Sequence, residues 1–334
     1  MGLSRVRRCH RLLSRLCAVG AAALLLCSIP GASGAQDNYP AKPVRVLIGF
    51  AAGGGTDFLA RVVADKMFPG AERVIVENRP GGGGQIAVDF VKRAAPDGYT
   101  LLMGPAGVMT VAPAVDPKVQ FATLRDFAPI TMVGSYPFLL VANAALPVRS
   151  VEDLVAWAKA NPSKANLGGS AISFRLVAEL FKQQTGMPFE FITYKSSTET
   201  VNALMAGEVA MTFVDSGPVS GQIKSGQVRG LAVTTPKRAA AFPDLPTLEE
   251  AGVKGVEVVS WAGLFAPAAT PPAVVRKIQD EVVRVLRMPE IRQQLAARET
   301  EAVGNTSDEF ARIIAAETAR WAKIAKDNNI RIEQ

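Results

Sequence analysis

Three glycine-rich segments stand where apolar runs give way to helical patterns. These are Gly53-Gly54-Gly55 ahead of Thr56-Asp57, Gly81 to Gly84 just after Asn78, and Gly168-Gly169 ahead of Ser170 and Ser173. Glycine lets backbone N–H groups turn inward and approach a ligand closely. A helix start adds partial positive charge, worth ~0.3–1 kcal/mol to a nearby anion. Such loops suit a carboxylate, phosphate or sulfate. The plainer alternative is that these glycines only make tight turns between strand and helix. Three loops, divided between two halves of the chain, favour a ligand cleft.

The nucleotide readings fail on residue types. A phosphate-binding P-loop needs Gly-Lys-Ser/Thr, and Gly55 is followed by Thr56-Asp57 with no lysine. A dinucleotide fingerprint needs a small residue where this chain has Phe58 or, in the second loop, Ile86. The hydrolase reading fails too. "GGSAI" resembles a nucleophile elbow but ends in Ile172, and the only histidine, His10, lies in the first 35 residues. Those residues have an arginine-rich start, an apolar run from Leu16 to Ile29 and small residues near Ala35. This is the layout of a secretory signal peptide, with cleavage expected after Ala35.

Removing that segment takes away Cys9, Cys17 and Cys27 as well as His10, so the exported chain has no thiol or imidazole. It also removes Arg5, Arg7, Arg8, Arg11 and Arg15 from a total of 37 basic residues, leaving 32 against 30 acidic ones. A near-neutral chain gives no argument for nucleic acid. The remaining side chains offer no imidazole or thiolate to a metal, and no calcium-loop spacing is present. No cofactor or metal is expected. A Ser-Lys or two-carboxylate enzyme is left open by composition alone, but no spacing argues for one.

The loops must be held by alternating strands and helices. "KPVRVLIGF", "RVIVEN" and "GYTLLMG" read as strands, with helices over Phe58 to Phe68 and Gln85 to Ala94. A second α/β set follows. Ser150 and Asp153 suit a capping box, and "KANLGGS", "FEFITY", "VAMTFVD" and "VRGLAVTT" read as strands separated by helices. The chain then turns helical, with Phe310, Ile313, Ile314, Trp321 and Ile324 on one side of the last helix. Two such sets joined by the apolar runs "PFLLVA" and "WAGLFA" predict two lobes, with ligand held at the carboxyl ends of the strands.

The candidate contacts are the first loop, Ala51, Ala52, Gly53, Gly54, Gly55, Thr56 and Asp57; Asn78 and Gly81; Gly169, Ser170, Ser173 and Arg175; and the strand-end residues Tyr194 and Asp215. Asp57 reads as a helix-start residue satisfying backbone donors in preference to a ligand contact, since an anionic ligand would repel it. Ser170 and Ser173 either donate to a carboxylate or cap the next helix. Arg175 is either solvated or neutralises a second acidic group on the ligand. Trp261 reads as hinge packing in preference to stacking on a ligand.

Longer blocks carry a resemblance. "YPAKPVRVLIGFAAGGGTDFLAR", "VIVENRPGGGGQIAVDFVKRAAPDGYTLLMG", "IKSGQVRGLAVTTPKRAAAFPDLPTLEEAG" and "SWAGLFAPAATPP" together resemble the periplasmic substrate-binding proteins of tripartite tricarboxylate transporters, the TctC-like or Bug family. The resemblance implies an α/β Venus-flytrap of the type II periplasmic binding-protein kind, each lobe a mixed, mostly parallel sheet flanked by helices. It implies capture of a small organic carboxylate and its delivery to membrane components of such a transporter, and the chain is expected to be non-catalytic and monomeric. Ligand sensing for a signalling receptor, or an exported enzyme on the same fold, are the competing functions. The expected division is a signal peptide over 1–35, lobe 1 over 36–140, lobe 2 over 141–260, and a hinge strand with helices returning to lobe 1 over 261–334. The first loop, Ala51 to Asp57, and the second-lobe loop, Gly169 to Ser173, match the family's carboxylate-holding loops. The chain departs from many members at Arg175, Ser196 and the "TET" after the lysine block.

Overall fold

The computed structural model describes residues 39–69, 74–239 and 242–327, so the expected signal segment lies outside the described residues. From Pro40 onward the chain is one compact unit. Its first strand, β1 (Val44–Ile48), is buried at Val44 and from Val46 to Ile48, as a strand covered on both faces requires. β1 pairs in parallel with β2 (Val74–Asn78) on one side and β3 (Thr100–Pro105) on the other. Between them lie α1 (Gly55–Ala64), which buries Leu59, Ala60 and Val63 at helical spacing, and α2 (Gln85–Lys92), which buries Ala87, Val88 and Val91. After β3 the chain makes a π-helical turn at Gly107–Val111.

The 17-residue β4 (Phe127–Asn143) connects the two halves of the sheet. Its first part, from Phe127 to Pro137, pairs antiparallel with β9 (Val259–Pro267), and Ser135 and Gly134 also pair with β10 (Glu301–Ala302). From Phe138 onward it pairs with β7 (Met211–Asp215) and β8 (Val228–Val233). β5 (Asn166–Gly169) joins β7 and β6 (Glu190–Thr193) in parallel. The resulting order is β2-β1-β3-β9-β4-β7-β5-β6, with β8 and β10 both on β4. The α/β units are parallel as the alternation predicts. The two long apolar runs, β4 and β9, pair antiparallel with each other, β9 also with β3 and β4 also with β7.

The second half carries α3 (Val151–Ala160), whose Ser150–Asp153 capping box forms as the spacing predicts. It also carries α4 (Ile172–Thr185), α5 (Ser197–Ala206) and α6 (Ser216–Lys224). α7 (Pro272–Leu286), α8 (Pro289–Ala296) and α9 (Ser307–Asp327) follow β9. α9 buries Phe310, Ile314 and Trp321, with Ile313 packed against the same core.

Two apolar clusters match this division. One gathers Leu47, Val88, Leu102, Met109, Phe127, Trp261, Phe265, Phe310 and Ile314. The other gathers Leu139, Val141, Val201, Leu204, Val214, Val219 and Val233. Each fully buried aliphatic or aromatic side chain contributes roughly 1.5–3 kcal/mol relative to exposure. Two cores allow two lobes, each stabilised from within, with polar loops between them. Trp261 packs edge-on against Phe310 at a centroid distance of 5.1 Å and donates its indole N–H to Glu317 at 2.9 Å. Its role is packing, as the sequence suggests.

Candidate functional site

The first loop is built around Asp57. Its Oδ2 accepts the Gly53 N–H at 3.0 Å, and its Oδ1 accepts from Asn78 Nδ2 at 2.9 Å. Arg61, one turn along α1, donates to both oxygens at 3.1 Å. Burial pushes the Asp57 carboxyl up, but these donors outweigh it and leave it below the usual carboxylate range. Asn78 also donates to the Phe50 carbonyl at 2.9 Å and accepts from Arg61 at 2.7 Å. Asp57 and Asn78 therefore brace the glycine loop from behind. Gly53 takes φ of +98°, a conformation that glycine adopts without a Cβ penalty.

The second lobe contributes the ends of β5 and β7 and the start of α5. Ser197 donates to Asp215 Oδ1 at 2.6 Å, and Ser170 Oγ lies 3.4 Å from Ser197 Oγ. Asp215 Oδ2 then reaches across to accept the Gly55 N–H at 2.8 Å. Burial raises the Asp215 pKa, opposed by the bonds from Ser197, Gly55 and its own N–H. The N-cap of α4 is Ala171, with no side-chain cap bond. Ser170 and Ser173 are thus buried cleft residues, not caps.

These loops line a narrow cleft, open to solvent, with Ala51, Gly54, Gly55, Thr56 and Asp57 on one side and Ser170, Ser173, Ser196, Ser197 and Asp215 on the other. Tyr136 and Ser260, register partners on β4 and β9, form its floor with Phe138. The Tyr136 hydroxyl bonds to Thr56 and Ser260, and burial with the nearby Asp215 raises its pKa. Approach across the cleft is close enough to require glycine. A Cβ on Gly53 would lie 2.8 Å from Thr198 Oγ1, one on Gly55 2.9 Å from Asp215 Oδ2, and one on Gly107 2.8 Å from Ser173 Oγ. An adjoining groove of about 850 Å³ shares Phe50 and Ser170 and is lined by Gly81 to Gly84, Tyr194 and Lys195.

Of the sequence candidates, Ala51, Gly54, Gly55, Thr56, Asp57, Ser170, Ser173 and Asp215 converge on the cleft. Gly81 and Tyr194 line the adjoining groove. Ala52, Gly53, Asn78 and Gly169 do not line either; Gly169 is a glycine because a Cβ would sit 2.6 Å from the Phe191 ring. Arg175 also lies off the lining, its guanidinium over the Phe191 ring at 5.6 Å. Sequence reading missed Tyr136, Ser260, Ser196, Ser197 and Gly107. The two hydroxyls of "YKSS" follow a strand and had the same strand-end signal as Ser170. Tyr136 and Ser260 lie inside long apolar runs, and nothing local marks them.

Similarity to known proteins agrees with this geometry. Residues 59–330 match the TctC family, the tripartite tricarboxylate transporter family receptors. Protein BugT of Bordetella pertussis is 32% identical over 89% of this chain and 92% of its own length. Among solved structures, R. palustris Rpa4515 with adipate superposes with a TM-score of 0.84 at 33% identity, covering 88% of this chain and all but 1% of that one (99%). MatC (Rpa3494) from Rhodopseudomonas palustris with bound malate gives 0.82 at 27% identity, covering 86% and 99%. The matched proteins are binding proteins and not enzymes, and this chain shares their two-lobed α/β architecture. The chain belongs to the tripartite tricarboxylate transporter family of receptors.

Proposed function

We propose that this chain is an exported, periplasmic and monomeric receptor that captures a small organic carboxylate between its lobes and delivers it to the membrane components of a tripartite transporter. The observation that carries the reading is the cleft itself. The loop before α1 and the first residues of that helix line the cleft opposite Ser170, Ser173, Ser196 and Ser197, residue types suited to holding a carboxylate. The neighbours with adipate and with malate support the ligand class. On this reading residues 36–140 and 261–334 form one lobe and 141–260 the other, hinged where β4 passes from β9 to β7. Closure then buries the ligand and presents the closed form to the membrane partner.

The ligand contacts are assigned to Ala51, Gly54, Gly55, Thr56, Ser170, Ser173 and Asp215, with Gly81 and Tyr194 at the entrance. Thermal unfolding of residues 36–334 against small carboxylates, phosphate, sulfate and nucleotides tests the class. A carboxylate at ~100 times its dissociation constant adds about 2.7 kcal/mol of stability. Stabilisation by phosphate or a nucleotide, with none by carboxylates, refutes the assignment. Ligand-dependent co-purification with the transporter's membrane subunits tests delivery.

A further inference from the structure

The Asp215 carboxylate is buried in the cleft wall, and no Lys, Arg or His is among the residues lining that cleft. No ion pair to Asp215 is present among the described residues, whereas Asp57, the other acid on the lining, is paired with Arg61. A buried carboxylate without a cation is costly unless something supplies charge or hydrogen bonds. Asp215 accepts from Ser197 at Oδ1, from Gly55 at Oδ2 and from its own N–H, which fixes its plane and still leaves a carboxylate with about four lone-pair sites able to accept one more donor. A plain carboxylate entering beside it meets like charge, which disfavours both ionised groups. A ligand that brings its own donor next to its carboxylate removes that conflict.

Resting on the carboxylate reading above, we infer that Asp215 is a specificity-determining residue that accepts a hydrogen bond from a hydroxyl or ammonium beside the ligand's carboxylate. The cleft therefore selects 2-hydroxy and 2-amino acids over the unsubstituted acids of the same skeleton. The Ser170–Ser197–Asp215 row and, once the lobes meet, the Gly55 amide hold the acceptor in place. The same arrangement accounts for a cleft lining without a basic side chain: a basic residue there would neutralise Asp215 and remove the preference.

The test uses matched series that differ only at C2: propanoate, lactate and alanine; succinate, malate and aspartate; glutarate, 2-hydroxyglutarate and glutamate. Affinities are measured by calorimetry on the wild-type chain and on Asp215→Asn, which keeps the side chain's shape. In the series that binds, the hydroxy or amino member is expected to bind roughly tenfold or more tightly than the plain acid, as a hydrogen bond to a charged group implies. Asp215→Asn is expected to abolish that ratio and to tighten the plain acid. A plain acid that binds as well as its substituted partners on wild type overturns the inference and leaves carboxylate capture standing, whether or not the variant folds. Failure of every series, with phosphate or nucleotides stabilising instead, overturns the carboxylate reading and this inference together.

Discussion

The Gly55 amide and the Asp215 carboxylate meet at 2.8 Å, one at the first residue of α1 and the other at the end of β7, 160 positions later in the chain. This bond closes the cleft from opposite sides, and it leaves no room for a side chain on Gly55. Alanine within a helix is worth up to about 1 kcal/mol over glycine, so Gly55→Ala is expected to fold with near-wild-type stability. Its Cβ nevertheless keeps the lobes apart. Ligand affinity should fall by roughly tenfold or more, since near-contact geometry is lost. Calorimetry paired with small-angle scattering checks this; an unchanged affinity would show that closure tolerates the methyl group.

Gly53 makes a different demand. Its φ of +98° penalises any L side chain, and a Cβ there also runs into Thr198. Gly53→Ala is expected to cost about 1–2 kcal/mol in a denaturant titration. Combining it with Thr198→Gly should restore the closed approach but not the backbone cost.

Asp57 should matter to the fold more than to the ligand. Asp57→Ala leaves the Gly53 and Asn78 donors and the Arg61 guanidinium without their acceptor, a loss of about 1.5–3 kcal/mol. Because the folded-state pKa lies below its ordinary value of 3.8, the contribution is present above that pH and is lost as pH falls below it. Wild type and variant should therefore converge in stability on acidification. A gap that stays constant down to strongly acid pH would contradict the bracing role.

Glu317 has the opposite sign. Burial raises its pKa above 4.5 against the bonds from Trp261 and Thr110. The folded chain then holds this proton more tightly than the unfolded one, so stability declines as pH rises from about 4.5 through the folded-state value. Glu317→Gln keeps an acceptor for the indole and removes the charge. Melting temperatures measured from pH 4 to 8 should show the variant gaining on wild type as pH rises.

Arg175→Ala should leave ligand affinity within about twofold, because the residue lies off the cleft lining. The guanidinium lies over Phe191 and off the cleft lining, which removes the motive for a second anion site at that position. A large loss of affinity would return Arg175 to the binding site.

The sequence by itself determined the strands and helices, because their signals are local. Burial along "VRVLI", the 3–4 spacing in α1 and α9, and the Ser150–Asp153 box each act within a few residues. It also determined the chemistry available: glycine loops at helix starts, hydroxyls at strand ends, and no imidazole or thiol after residue 35. Only the tertiary structure decided which of these groups meet. Asp57 is held by Asn78 of β2 as well as by Arg61 of its own helix, and Arg175 of α4 settled over Phe191 of β6, so neighbours on other elements took part in both choices. Tyr136 and Ser260 reached the cleft floor through the pairing of β4 with β9, two runs more than a hundred residues apart. The register that aligns them is fixed by sheet packing, which no window of sequence contains.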